Sequence, residues 1–356
     1  MTDMMSDLHA NAVRHTPDEA LQLLFPRQEL LLQLRRLRVA SSVRTRGMLA
    51  GRRRSATLGS SMEFADYRAY VPGDDIRRLD WNVYGRTDKA YIRQYWDEQE
   101  LSLQLVLDAS RSMTHFGDGD SNKWHYALRL AASVGYTALG ADDRVAVKML
   151  QPGQSGASLP FLHGRAGAAK LMSFLSDFWR SDWERVRSEG LVGGKRTGLQ
   201  GELAESEGQQ EVGKEPHEQV ELDMLSMFRA QCGFMRPGAT WLFTDAWFES
   251  GIKETLLMLA GKRQHTVLVH LLSPKEQHPR LDGELLLIDS ELRSGKEAAV
   301  SRRLLHDYEA ALASYKQELA ALCSELGTVY LFADTGKPVE NAIAEWSRIP
   351  GALSRQ

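Results

Sequence analysis

Leu103-Gln104-Leu105-Val106-Leu107-Asp108-Ala109-Ser110-Arg111-Ser112 decides how the rest of the chain is read. An apolar run closed by an aspartate predicts a strand entering a core, with a polar loop at its carboxyl end. A helix is expected from about Lys123, because Trp124, Leu128, Ala131, Gly135 and Ala138 recur at spacings of four and three. That spacing gives one buried face with small residues for close packing. Arg144 to Met149 predicts a second strand and Ala166 to Leu175 a second helix. Thr240 to Phe243, Thr266 to Leu271 and Leu285 to Ile288 predict further strands, with a helix over Ile252 to Leu259. Leu305, Tyr308, Leu312, Tyr315, Leu319, Leu322 and Leu326 form the cleanest helical stripe, which Gly327 ends. It is expected to face the sheet, and Val329 to Phe332 to close the series as a last strand. Strands alternating with helices argue for an α/β fold, a doubly wound and mainly parallel sheet, over about residues 101–350.

Upstream, residues 1–50 are expected to form a helical segment. Thr16-Pro17-Asp18-Glu19 has the residues of a helix start, and the leucines that follow are interrupted at Pro26. Eight arginines lie between Arg35 and Arg54, but no aromatics are interleaved. A solvated or internally paired surface suits them better than nucleic acid. Residues 51–100 alternate aromatics and charges around the turn Pro72-Gly73-Asp74-Asp75, which predicts a small β-rich block. From about 183 to 223, Gly, Glu, Gln, Lys and Ser dominate, and a disordered insertion is expected.

Composition bounds function. A net charge of −3 gives no bulk attraction to nucleic acid or anionic lipid. No apolar run approaches the roughly 18 residues of a membrane helix, and the first residues lack the pattern of a secretory signal. Cys232 and Cys323, with no CxxC motif, fit a reducing compartment, so a cytoplasmic protein is expected.

The chemistry-bearing residues lie at strand ends. Asp108, Ser110 and Ser112 place three oxygen side chains at i, i+2 and i+4, where open α/β sheets bind ligands. A carboxylate with two hydroxyls suits magnesium, manganese or calcium. Asp245 ends another predicted strand, and its carboxylate could converge with that of Asp108 on one cation; alternatively Asp245 is a helix cap. Asp108 is expected to face solvent.

Leu107 to Met113 resembles the first motif of von Willebrand factor A domains, and Thr244-Asp245 their later aspartate. Gly51, Ser55, Gly59, Glu63-Phe64, Arg68, Tyr70, Gly73-Asp74-Asp75, Arg77 and Asp80-Trp81 resemble the signature of the bacterial family called domain of unknown function 58, in which such a block precedes an A-type domain. Ile288-Asp289-Ser290-Glu291 is similar to that family's late acidic motif. The resemblance implies a metal-ion-dependent adhesion site, with Asp108, Ser110, Ser112 and Asp245 around magnesium (or manganese or calcium). It also implies an adaptor role beside a MoxR-type AAA ATPase. One departure stands out: integrin-type sites add a threonine from the loop before the second helix, and here that loop reads His163-Gly164-Arg165-Ala166-Gly167.

Within the signature, Asp74, Asp75 and Asp80 are expected to pair with Arg68, Arg77 or Arg86. Trp81 is expected to pack beneath them and lock the block onto the sheet. The competing function is a metal-dependent hydrolase or phosphotransferase using Asp108 and Asp245, with His115, Asp118, Asp120 and His125 as nearby acid–base groups. No Walker, GxSxG or HExxH motif supports it.

Overall fold

The computed structural model describes residues 17–41, 64–95, 100–114, 122–151, 156–193, 223–232, 237–281, 283–288 and 295–355. Two short helices, α1 (Pro17–Leu24) and α2 (Gln28–Leu34), lead into strand β1 (Leu37–Val39). The signature block follows as β2 (Phe64–Ala69), a 3-10 turn at Ile76–Arg78, α3 (Trp81–Thr87) and β3 (Tyr91–Tyr95). The larger unit comprises β4 (Ser102–Asp108), α4 (Arg111–Thr114), α5 (Lys123–Gly140), β5 (Arg144–Leu150), β6 (Ser158–Leu162), α6 (Gly164–Gly193), α7 (Met224–Cys232), β7 (Gly238–Thr244), α8 (Ile252–Gly261) and β8 (Gln264–Leu272). After it come α9 (Pro274–Gln277), β9 (Gly283–Ile288), β10 (Gly295–Val300), α10 (Arg302–Glu325), β11 (Val329–Asp334), α11 (Val339–Trp346) and β12 (Leu353–Arg355).

Six strands form one sheet in the order β11-β8-β7-β4-β5-β6, parallel throughout except for β6 at one edge. The chain runs from β4 outward through β5 and β6, then returns to the other side of β4 with β7. The order therefore reverses between β4 and β7, whose carboxyl ends flank a crevice.

Helices cover both faces, and the strands show why. Leu103, Leu105 and Leu107 of β4 enter one apolar cluster with Trp241, Phe243, α5 and α6. Val106, between them in sequence, enters the opposite cluster with Leu242, Leu268, Phe228, Leu256 and Leu319. This is the two-residue period of a strand buried on both faces. Each such side chain contributes about 1.5–3 kcal/mol by leaving water. Helix α5 is apolar on nearly every side because α6, α1, α2 and α11 pack around it. The N-terminal residues Ala20, Leu24, Leu30 and Leu34 belong to that cluster, and β1 pairs antiparallel with β12. The N-terminal helices are thus built into the same core as the sheet.

Two expectations are corrected. Helix α6 runs past Leu175 to Gly193, entering the stretch expected to be disordered; residues 194–222 lie outside the described residues. Trp81 does not pack beneath the signature acids: it is 65% exposed and meets Tyr84 edge-on. It opens α3, whose buried cap is Asp80, and the first residue of so short a helix points outward.

Within the signature, Arg68 Nη2 lies 2.6 Å from Asp74 Oδ1, as expected, and holds the Asp74 carboxyl below its usual range. Asp75 departs from expectation, accepting from the backbone N–H of Arg77 to start the 3-10 turn. Asp80 accepts from the N–H groups of Asn82 and Val83 and from the Tyr67 hydroxyl at 2.7 Å. Gly73 sits at φ +105°, a conformation that glycine alone adopts without strain. Glu63 lies outside the described residues.

Candidate functional site at the strand-order reversal

Asp108 ends β4 and Thr244 ends β7, adjacent in the parallel pairing. Their side chains meet: the Thr244 hydroxyl donates to Asp108 Oδ2 at 2.7 Å, and the Ala246 N–H donates to the Thr244 hydroxyl at 2.9 Å. Asp108 Oδ1 accepts from the Ser110 N–H at 3.0 Å, a local turn typical of aspartate. The loop then coils at once into α4, with the Thr114 hydroxyl donating to the Ser110 carbonyl. This coiling brings the Ser110 and Ser112 hydroxyl oxygens to 3.1 Å. Neighbouring ligands of an octahedral magnesium ion stand about 3 Å apart, so the two serines fit adjacent positions of such a shell.

Asp108 does not face solvent as expected; it is fully buried. Burial, followed by the charge of Asp245, raises its pKa to about 7 against the hydrogen bonds from Thr244 and Ser110. A buried carboxylate of this kind seeks a cation or a proton.

Asp245 lies one residue beyond β7 and is also buried. Its Oδ1 accepts from the Trp247 N–H, and its Oδ2 lies 2.7 Å from the ammonium of Lys123. Lys123 in turn lies 2.6 Å from Glu276 Oε1, and its side chain is fully buried. Glu276 Oε2 accepts from the N–H and hydroxyl of Ser273, each at 2.8 Å, while the Ser273 hydroxyl accepts from the Glu276 N–H. That reciprocal capping box fixes α9. Three carboxylates and one ammonium among the described residues therefore gather at the ends of β4, β7 and β8. Among the described residues, no group of three or more His, Cys, Asp or Glu side chains is arranged to hold a metal by itself. The donor set among the described residues that fits a divalent cation is Asp108 with Ser110 and Ser112; Asp245 is engaged by Lys123.

Helix α10 braces this arrangement. Tyr315 donates to the Ala246 carbonyl and stacks on Trp247, while Tyr308 donates to the Glu276 carbonyl at 2.8 Å. Two tyrosines two helical turns apart thus hold the two loops that carry Asp245 and Glu276. Ala246 sits at φ +58°, in the left-handed region, which turns the chain sharply after Asp245. His270 bonds the Tyr330 hydroxyl through Nδ1 at 2.8 Å, and burial lowers its pKa to about 4, so the ring is neutral.

Of the sequence candidates, Asp108, Ser110, Ser112 and Asp245 are brought together. His125 is not among them; it stacks on Trp179. His115, Asp118, Asp120 and the late motif Asp289-Ser290-Glu291 lie outside the described residues. Lys123 and Glu276 were not foreseen. Lys123 read as a helix start, and Ser273-Pro274-Lys275-Glu276 carries only the signal of a cap.

The family model described as protein of unknown function DUF58 matches residues 66–318. An uncharacterized protein of Mycobacterium tuberculosis H37Rv and one of Mycobacterium bovis are each 24% identical over 98% of this chain and 99% of their own. Among solved structures, the conserved hypothetical protein BatB from Bacteroides thetaiotaomicron matches with a TM-score of 0.32 and 12% identity, covering 69% of this chain and 96% of that one. Among the described residues, no helix is long and apolar enough to cross a membrane.

Proposed function

The chain belongs to the DUF58 family, and from that premise we propose that it is a protein-binding adaptor. In this reading the sheet is von Willebrand factor A-like and doubly wound. A divalent cation, magnesium or manganese, sits at Asp108, Ser110 and Ser112 and accepts a carboxylate from a protein partner. The observation that carries the reading is the Ser110–Ser112 hydroxyl separation of 3.1 Å beside a buried aspartate, at the point where the strand order reverses. The strand order supports it too, because open sheets bind ligands at such reversals. The sequence resemblance suggests a MoxR-type AAA ATPase as the partner.

A hydrolase or phosphotransferase would need a base beside the cation. That second reading would draw its base from His115, Asp118 or Asp120, which lie outside the described residues.

The test is a pulldown of a purified MoxR-type ATPase by the wild-type chain and by Ser112→Ala, each with magnesium and with EDTA. Capture that needs magnesium and is lost in Ser112→Ala supports the reading. Equal capture in all four conditions overturns it.

A further inference from the structure

Lys123 puts an ammonium at a fully buried position, which is costly unless opposite charges surround it. It opens α5 beside Trp124, is fully buried, and places its ammonium 2.7 Å from Asp245 and 2.6 Å from Glu276. The far oxygens of both carboxylates are also engaged, by the Trp247 N–H and by Ser273. These contacts complete a built unit, in which a covalently tethered cation closes the gap between the β7 turn and α9. The separations of 2.6 and 2.7 Å are only slightly longer than calcium–oxygen bonds of about 2.3–2.6 Å.

We propose that Lys123 is the site's resident cation: it discharges Asp245 and Glu276 internally and confines the divalent-cation site to Asp108, Ser110 and Ser112. This rests on the metal reading above and departs from the sequence expectation in one part, since Asp245 then stands outside the metal's shell. The consequence concerns regulation. A divalent ion facing one carboxylate and two neutral hydroxyls keeps most of its water and is held weakly. A partner's carboxylate supplies the second negative ligand. Metal and partner then raise each other's affinity by the same factor, as linkage requires. Neither is retained well alone, so capture and release follow the partner, while Lys123 keeps the surrounding loops joined whether or not a metal is bound. A lysine serves this purpose better than a second metal ion, because its presence does not depend on metal concentration.

Calorimetric titration of the full chain with manganese alone tests the assignment, with circular dichroism to verify folding. Wild type should bind weakly. Lys123→Met should bind at least about tenfold more tightly, because it releases two carboxylates that then act as ligands. Its melting temperature should also rise more on adding manganese than that of wild type. Lys123→Met/Glu276→Gln should lose part of the gain, since Asp245 alone is then released, and Glu276→Gln alone should leave the wild-type affinity unchanged. Lys123→Met binding no more tightly than wild type, or Glu276→Gln alone weakening binding by about tenfold, overturns the proposal. If Lys123→Met folds only with metal present, that supports it; if it folds under neither condition, Glu276→Gln decides. Asp108→Asn separates the two readings. If it leaves every titration unchanged while Lys123→Met still gains, the metal site at Asp108 falls and the role of Lys123 stands. If it abolishes wild-type binding and Lys123→Met gains nothing, the reverse holds.

Discussion

The Thr244 hydroxyl donates to Oδ2 of Asp108 at 2.7 Å, tying the carboxyl ends of two neighbouring parallel strands across 136 residues of chain. The bond fixes the carboxylate at the crevice while the strands supply the core beneath it. Thr244→Val keeps the shape but leaves a buried carboxylate oxygen without this donor, and should cost about 1–3 kcal/mol in urea denaturation. In an Asp108→Ala background the same change should cost at least about 0.5 kcal/mol less. Strictly additive effects would show that the bond contributes nothing.

Acid should act on stability through two buried groups of opposite sign. The folded pKa of His270 is lowered from 6.5 to about 4. The unfolded chain therefore takes up a proton first, and stability present above pH 6.5 is lost as pH falls toward 4. Replacing His270 by Phe should remove roughly 3 kcal/mol of that loss. The folded pKa of Asp108 is raised from 3.8 to about 7, so protonation between these values favours the folded state and offsets the histidine. Asp108→Asn should accordingly lose stability more steeply than wild type as the solution is acidified. Urea midpoints followed across that range give the three slopes; parallel profiles would contradict both assignments.

Exposure of Trp81 reverses the expectation drawn from its neighbours. Trp81→Ala should change stability by no more than about 0.5 kcal/mol, the usual range for a surface site. Asp80→Ala, which removes the cap of α3 and the partner of Tyr67, should cost about 1–2 kcal/mol. Thermal melts of the two variants decide the order, and a larger loss in Trp81→Ala would show that the ring packs against something.

Cys232 and Cys323 are free and buried, and burial pushes each thiol up to about 12. A thiol-reactive dye should label neither in the native chain and both in urea, because the thiolate is the reactive form. Rapid labelling under native conditions would mean that the helices carrying them, α7 and α10, open locally.

Asp108-Ala109-Ser110-Arg111-Ser112 could be read from sequence because its chemistry is local: the spacing that identifies it is also the spacing that coils it into one loop. The late helix was legible for the same kind of reason, its period being visible in a single segment. The tyrosines in that stripe were read only as core, because a periodic pattern does not reveal that Tyr308 and Tyr315 reach two separate loops. Strands β1, β6, β10 and β12 went unread: β6 is a short edge strand interrupted by Pro160, and β1 and β12 exist only by pairing with each other.

The alternation of apolar runs with amphipathic helices determined, by itself, an α/β chain with a mainly parallel sheet and acids at two strand ends. Strand period, helical period and turn chemistry act over a few residues and are written in order along the chain. Tertiary structure alone decided that Lys123 faces Asp245 across 122 residues and Glu276 across 153. It also decided that Asp108 is buried and that Trp81 is exposed. These depend on which strands become neighbours and which side chains are taken out of water together. An ammonium buried between two carboxylates is stable only when both are present, and no local pattern records that they are.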